Sequence, residues 1–194
     1  MKQSSVVICL LCVLLATPAL AQSVELALGV GGYIPVNNTL SAGNAFAIQG
    51  TFSYRIFHVP LVSLYFDLPV VGTLDSRIPS SSQLASPGTY SALFVAPGLK
   101  LKLAPGYPVS PFFGVGGGLA HYNKSAQLTP PGESNTTSTN VFDVGGGLDM
   151  KIAPYFSVRG EVRDFYSGNA RLRLSNLDER QHNIVVTGGL VFRW

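Results

Sequence analysis

The stretch Ile184-Val185-Val186-Thr187-Gly188-Gly189-Leu190-Val191-Phe192-Arg193-Trp194 carries the alternation that decides how the rest of the chain is read. Every second position, Ile184, Val186, Gly188, Leu190, Phe192 and Trp194, is apolar apart from the glycine. The interleaved set, Val185, Thr187, Gly189, Val191 and Arg193, is smaller and more polar. Successive side chains of a β-strand point to opposite faces, so this spacing predicts a strand with one strongly apolar face.

The same phase recurs upstream. Phe46, Ile48, Phe52, Tyr54 and Ile56 alternate with Ala47, Gln49, Thr51, Ser53 and Arg55, the cleanest case in the chain. Further strands are predicted over about 24–31, 62–68, 92–103, 113–120, 142–151 and 156–163, which makes eight with the stretches around Phe52 and Leu190. Long connections at 35–43, 72–89, 123–139 and 167–180, rich in Ser, Asn, Pro and Gly, alternate with tight proline turns at His58-Val59-Pro60, Ala104 to Pro108 and Ala153-Pro154. An even strand count with short turns at one end and long loops at the other predicts an all-β fold. The expected architecture is an eight-stranded antiparallel up-and-down transmembrane β-barrel, closed because backbone groups in lipid must pair without water.

Composition agrees. Charged residues make up 12% of the chain, below the ~25% of soluble domains. Lys2 followed by the apolar run 6–16 and by Ala19-Leu20-Ala21 reads as a secretory signal peptide over 1–21, leaving 22–194 as the barrel. That run is too short for the ~30 Å of hydrocarbon that a spanning helix must cross. Cys9 and Cys12 lie inside it, so no disulfide or thiol chemistry is expected of the processed chain. Loss of Lys2 lowers the formal net charge from +3 to +2, too small an excess to predict nucleic-acid binding.

The charges fall in phase. Glu25, Arg55, Asp67, Lys100, Lys102, Asp143, Asp149, Lys151, Arg159, Glu161, Arg163 and Arg193 all sit opposite the large apolar residues. In a small membrane barrel that face is the lumen. A lumen charge network is therefore expected from Glu25, Arg55, Asp67, Asp143, Asp149, Lys151, Arg159, Glu161 and Arg163, since an unpaired buried ion costs several kcal/mol. Gly114, Gly116, Gly118, Gly145 and Gly147 would make room for the long cations, or else leave a water-filled channel. Four residues break the pattern. Asp164 falls on the lipid phase, through a rim position or a bulge. Val185 and Val191 are apolar in the lumen phase. Pro97 interrupts a strand, at a bulge or a missing hydrogen bond.

Taken with Val158-Arg159-Gly160-Glu161-Val162-Arg163-Asp164-Phe165 and the closing Leu190-Val191-Phe192-Arg193-Trp194, the chain resembles the bacterial outer-membrane β-barrel family of OmpA-like and OmpX-like domains and opacity-type surface proteins. The resemblance covers everything after the signal peptide. It implies an integral outer-membrane location with both termini periplasmic, and contact with outer-membrane lipid and lipopolysaccharide. It also implies insertion by the barrel-assembly machinery, which would read Ile184, Val186, Leu190, Phe192 and Trp194 as an assembly signal. No peptidoglycan-binding domain is expected beyond the barrel, and a monomer is expected.

No catalytic, cofactor-binding or metal residues are expected. His121-Tyr122-Asn123 lacks the adjacent serine of a Ser–His pair. His58, His121 and His182 do not have metal-ligand spacing. Gly29-Val30-Gly31-Gly32 and Gly114 to Gly118 precede no helix and read as strand glycines rather than phosphate loops. Two function classes follow: a structural or adhesion-type surface barrel working through its long extracellular loops with an unidentified surface ligand, or a narrow channel for small or apolar solutes.

Overall fold

The computed structural model describes residues 23–36, 43–74, 76–78, 88–129, 132, 134–168 and 180–194. The expected signal peptide lies outside them, as do parts of all four long connections. The described chain forms β1 (Val24–Val36), β2 (Ala45–Val59), β3 (Val62–Thr73), β4 (Ser76–Ile78), β5 (Gly88–Val95), β6 (Gly98–Leu103), β7 (Val109–Lys124), β8 (Thr136–Lys151), β9 (Phe156–Ser167) and β10 (Gln181–Arg193). All pairings are antiparallel, each wall pairing with the next, and β1 pairs with β10 from Glu25↔Arg193 to Val36↔His182. The barrel is thereby closed, and reciprocal bonds between Val24 and Trp194 (3.1 and 3.2 Å) tie its two ends together.

Ten segments make eight walls. β5 and β6 are one wall interrupted at Ala96-Pro97, since both pair with β3 on one side and β7 on the other. Proline has no N–H to give to the ladder. Its carbonyl is still used, accepting from Gly117 N at 3.1 Å. Of the two readings of Pro97, the broken ladder is the one observed. A register shift does occur, but elsewhere: between Arg55 and Phe57 in β2. β4 is a short flap that, among the described residues, pairs with β5 from Ser76↔Tyr90 to Ile78↔Gly88.

The strands run further than the apolar alternation predicts. β1 continues past Gly31 to Val36, β7 past Ala120 to Lys124, β8 begins at Thr136 rather than about 142, and β9 reaches Ser167. These extensions are at the long-connection end; β7 also begins earlier than predicted, at Val109, beside a tight turn. Ladder hydrogen bonds hold them whatever the side chains, so periodicity fades before the strand does. The stretches 72–89 and 123–139 are correspondingly less loop than predicted; the second also contains a 3-10 turn, Ala126–Leu128.

The outward face is apolar, with Leu28 63%, Ile48 52%, Leu190 55% and Val162 49% exposed. So large an apolar surface needs a lipid cover. Near the tight turns it becomes aromatic: Phe57, Tyr107 and Tyr155 are exposed, and Phe192 packs between Phe156 and Trp194 at 5.1 Å to each. Such girdles mark the level where hydrocarbon meets water.

Candidate functional site

The inward face fills the barrel in two layers. In the half nearer the tight turns, five carboxylates and five cations form one buried cluster. Arg163 on β9 is its hub at one side, with Nε 2.6 Å from Glu161, Nη1 2.5 Å from Asp143 and Nη2 2.7 Å from Asp67. Arg159, two residues earlier and so on the same face, grips Asp149 through Nε (2.7 Å) and Nη2 (3.0 Å) and reaches Glu25 at 3.4 Å. Its guanidinium lies 4.4 Å from the centre of the Phe112 ring. Lys100 joins Glu25 and Asp67, both at 3.1 Å, and donates to Ser53 Oγ at 2.6 Å. Lys102 joins Glu25 and, at 2.6 Å, Asp149. Arg193 bonds the same two carboxylates at 3.0 and 2.7 Å.

Charge balance follows from that inventory: Glu25, Asp67, Asp143, Asp149 and Glu161 carry five negative charges, and Lys100, Lys102, Arg159, Arg163 and Arg193 carry five positive ones. A neutral, mutually bonded set is the condition under which buried ions are tolerated.

Seven of the nine residues expected in a lumen network are in this cluster. The other two, Arg55 half-buried and Lys151 exposed, line the turn-end mouth of the barrel. Period two tells which wall face a side chain takes and nothing about its depth in the barrel. Lys100 and Lys102 on β6, in the charged phase but outside the expected network, belong to the centre of the cluster.

Above the ions comes a neutral step. Gln49 donates to Glu161 at 2.8 Å and to Thr51 at 3.2 Å, and accepts from Thr187 Oγ1 at 3.1 Å. A cavity of only about 10 Å³ remains beside these residues and Arg159.

The half nearer the long connections is filled by an apolar and aromatic layer that the alternation alone does not foretell. Phe94 stacks on Phe165 at 4.8 Å and meets Tyr122 edge-on at 6.0 Å and Tyr33 at 6.2 Å. Val185 is buried here beside Val71, Ala47 and Ala120, which explains its apolar character in the lumen phase. Val191 is also buried, but down among the ions of the other half, next to Arg193. Polar tips are satisfied within the layer. Tyr33 donates to Asn183 Oδ1 at 2.6 Å, Asn183 Nδ2 donates to Ser167 Oγ at 3.0 Å, and Tyr122 and Ser167 hydroxyls are 2.6 Å apart. Leu128, carried by the 3-10 turn, is fully buried as the lid of this layer. A Cβ added to Gly88 would stand 2.5 Å from its Cγ, so the β5 glycine is what admits the lid.

The strand glycines divide between two duties. A Cβ at Gly145 would lie 2.5 Å from Arg163 Cγ, and one at Gly114 would lie 3.6 Å from its guanidinium, as expected of residues making room for a long cation. A Cβ at Gly147 would lie 2.2 Å from the Gly160 carbonyl oxygen and 2.8 Å from the Phe112 ring. Gly116 and Gly118 do otherwise: they face the carbonyls of Ala96 and Val95, where the interrupted β5–β6 wall comes close. A side chain there would press on backbone, which cannot yield.

Two polar pairs occupy the outward face near the long connections. Asp164 Oδ2 lies 2.6 Å from His182 Nδ1, with the Tyr166 ring 4.7 Å from the imidazole. The β8–β9 and β9–β10 registers are unbroken, so Asp164 is a rim residue with a partner and no bulge is needed. His121 Nδ1 lies 2.9 Å from Ser138 Oγ, a Ser–His pair formed across the β7–β8 ladder where adjacent sequence offered none. It is exposed, and among the described residues no carboxylate orients it, as a nucleophile–base pair requires. Among the described residues no three His, Cys, Asp or Glu side chains meet in a group that could hold a metal. The expected assembly residues Ile184, Val186, Leu190 and Phe192 lie along the outward face of β10, with Trp194 just beyond it.

No protein-family model matches the chain, and no curated protein matches it. Solved structures do. Neisserial surface protein A (NspA) superposes with a TM-score of 0.63 over 90% of this chain and 99% of its own, at 10% identity. Outer membrane protein OprG from Pseudomonas aeruginosa gives 0.54 over 90% and 97%, at 8% identity. Ail, the attachment invasion locus protein of Yersinia pestis, gives 0.51 over 89% and 99%, at 12% identity. Identities this low carry the fold: the closed eight-stranded β-barrel of bacterial outer-membrane proteins.

Proposed function

We propose, from the premise of an outer-membrane barrel with a filled interior, that this protein is a surface-interaction element whose long connections meet an extracellular partner. The observation that carries this reading is the packing of the lumen. Ten paired ions, the Gln49 step and the Phe94 layer follow one another along the axis, and Leu128 closes the end. An eight-stranded barrel is only just wide enough for side chains to fill. A solute would have to break buried ion pairs to pass, which supports the surface-interaction reading over the channel reading.

In this proposal residues 1–21 direct export, both termini and the tight turns face the periplasm, and the four long connections face outward. Lipid and lipopolysaccharide cover the apolar belt, and the barrel-assembly machinery reads the outward residues of β10. The printed names of NspA, a surface protein, and Ail, an attachment protein, accord with an adhesive role. The connections differ in what they can give. The third one, 123–139, already seals the barrel through Leu128, so its exposed tip rather than its base is the contact element.

Deleting 79–87 or 130–134, which spares Leu128, tests the reading. Cells displaying the intact protein are expected to adhere to epithelial monolayers, and at least one deletion is expected to abolish the gain while leaving barrel levels unchanged. Full adhesion by both deletions would contradict it. So would reproducible conductance steps from the pure folded protein in a planar bilayer, where none is expected.

A further inference from the structure

We infer that the barrel interior binds a single water molecule between the ion cluster and the Gln49 step. The site is the cavity of about 10 Å³ at their junction, which Gln49, Thr51, Arg159, Glu161 and Thr187 help to line. That volume is close to the roughly 10–15 Å³ that one water centre requires, and too small for a solute. Cavities with an apolar lining stay dry; this one is surrounded by hydrogen-bonding groups.

Arg159 is the group that a water would satisfy. Its Nε and Nη2 are taken by Asp149, with Glu25 also 3.4 Å from Nη2. Nη1, turned away from that carboxylate by the planar fork, is buried and has no hydrogen-bond partner among the described residues. A buried N–H of a charged group left dry carries the full penalty of its desolvation. The rest of the lining can complete the bonds of a water. Glu161 Oε2 accepts from Gln49 at 2.8 Å, and Thr51 Oγ1 accepts from the same amide at 3.2 Å. Each oxygen has acceptor capacity beyond that one bond. The water accepts from Arg159 Nη1 and donates to Glu161 and Thr51. Three bonds is the usual number for a buried water.

Gly29 supplies an independent observation. It lines the same cavity from the inward face of β1. A Cβ built on it would meet Gly188 O and Thr187 Cβ at 3.4 Å, an ordinary van der Waals contact. Alanine would fit there, unlike at Gly31 or Gly189, where a Cβ would strike backbone. Glycine inside a strand costs entropy and contributes no packing, and it often marks the close approach of another group. The space left by the absent methyl is the space the water fills. The water thereby joins the charged half of the interior to the neutral step above it, and it is held rather than passed. The inference concerns the interior alone and is independent of the role proposed for the loops.

The test is water-oxygen magnetic relaxation dispersion of the folded barrel in detergent micelles, which counts waters held for longer than the barrel takes to tumble. Gly29→Ala, shown to be folded by its gel mobility before boiling, is expected to lower the amplitude by about one water per chain. Gly50→Ala faces lipid from the neighbouring strand, where a Cβ would meet only Leu28 Cδ2 at 3.9 Å, and is expected to leave the amplitude unchanged. The methyl of Ala27, which also lines the cavity, gives a second readout. In the parent it is expected to show a nuclear Overhauser contact to water, which Gly29→Ala removes; should that variant not fold, the parent contact decides. An undiminished amplitude in folded Gly29→Ala, an equal loss in Gly50→Ala, or an Ala27 methyl without a water contact in the parent overturns the inference.

Discussion

Replacing Arg163 with Met is expected to cost about 3–5 kcal/mol of folding stability, the range for removing one partner of a buried ion group. The reason lies in what the substitution strands. Asp67 keeps Lys100 and Ser53, and Glu161 keeps Gln49, but Asp143 has no other hydrogen-bonded partner among the described residues. A carboxylate would be left deep in the barrel with nothing to offset its desolvation. Urea titration of the protein folded into lipid vesicles, followed by the gel mobility of unboiled samples, measures the loss. Adding Asp143→Asn to the Arg163→Met variant is expected to return about 1 kcal/mol or more, because it removes the stranded charge. Were Arg163→Met as stable as the parent, the ion cluster would not be holding the barrel together.

Phe94→Ala is expected to be as damaging, by about 3–5 kcal/mol, through a different mechanism. Phe94 is fully buried at the meeting point of Phe165, Tyr122 and Tyr33. Deleting its ring opens a cavity that the surrounding strands, tied by their ladders, cannot close. The same vesicle titration reads the loss. Phe52→Ala, on the outward face of β2, supplies the contrast: there lipid replaces the lost ring, and the change is expected to stay within about 1 kcal/mol. Equal effects at the two positions would mean that the barrel's inside and outside had been exchanged.

These two substitutions mark the boundary of what sequence could tell. Arg163 and its neighbours were legible because they fall in the charged phase of an otherwise apolar alternation, and every ion in the cluster, Lys100 and Lys102 included, lies in that phase. Depth is not legible, so phase alone cannot separate Arg55 and Lys151, at the mouth, from the ions deeper in the barrel. The Phe94 layer was hidden for a related reason. Above the hydrocarbon the two faces lose their contrast: Leu128 comes from a stretch that reads as loop, and Tyr33, Tyr90 and Tyr122 lie between the predicted strands and their connections. Their convergence depends on ladder register and on a turn folding back into the mouth, neither of which a period of two encodes. The Ser138–His121 pair was missed likewise, since cross-strand neighbours are distant in sequence.

Spin labels on single cysteines from 46 to 54 test the central claim most directly, and both native cysteines precede residue 13, so a chain expressed from residue 22 onward needs no background removal. In vesicles, labels at 46, 48, 52 and 54 should collide freely with oxygen and be shielded from a water-soluble nickel relaxant. Labels at 47, 49, 51 and 53 should be immobilised and shielded from both. Free access of the nickel reagent to 48 and 52 would place those side chains in water and contradict a lipid-covered barrel with a packed interior.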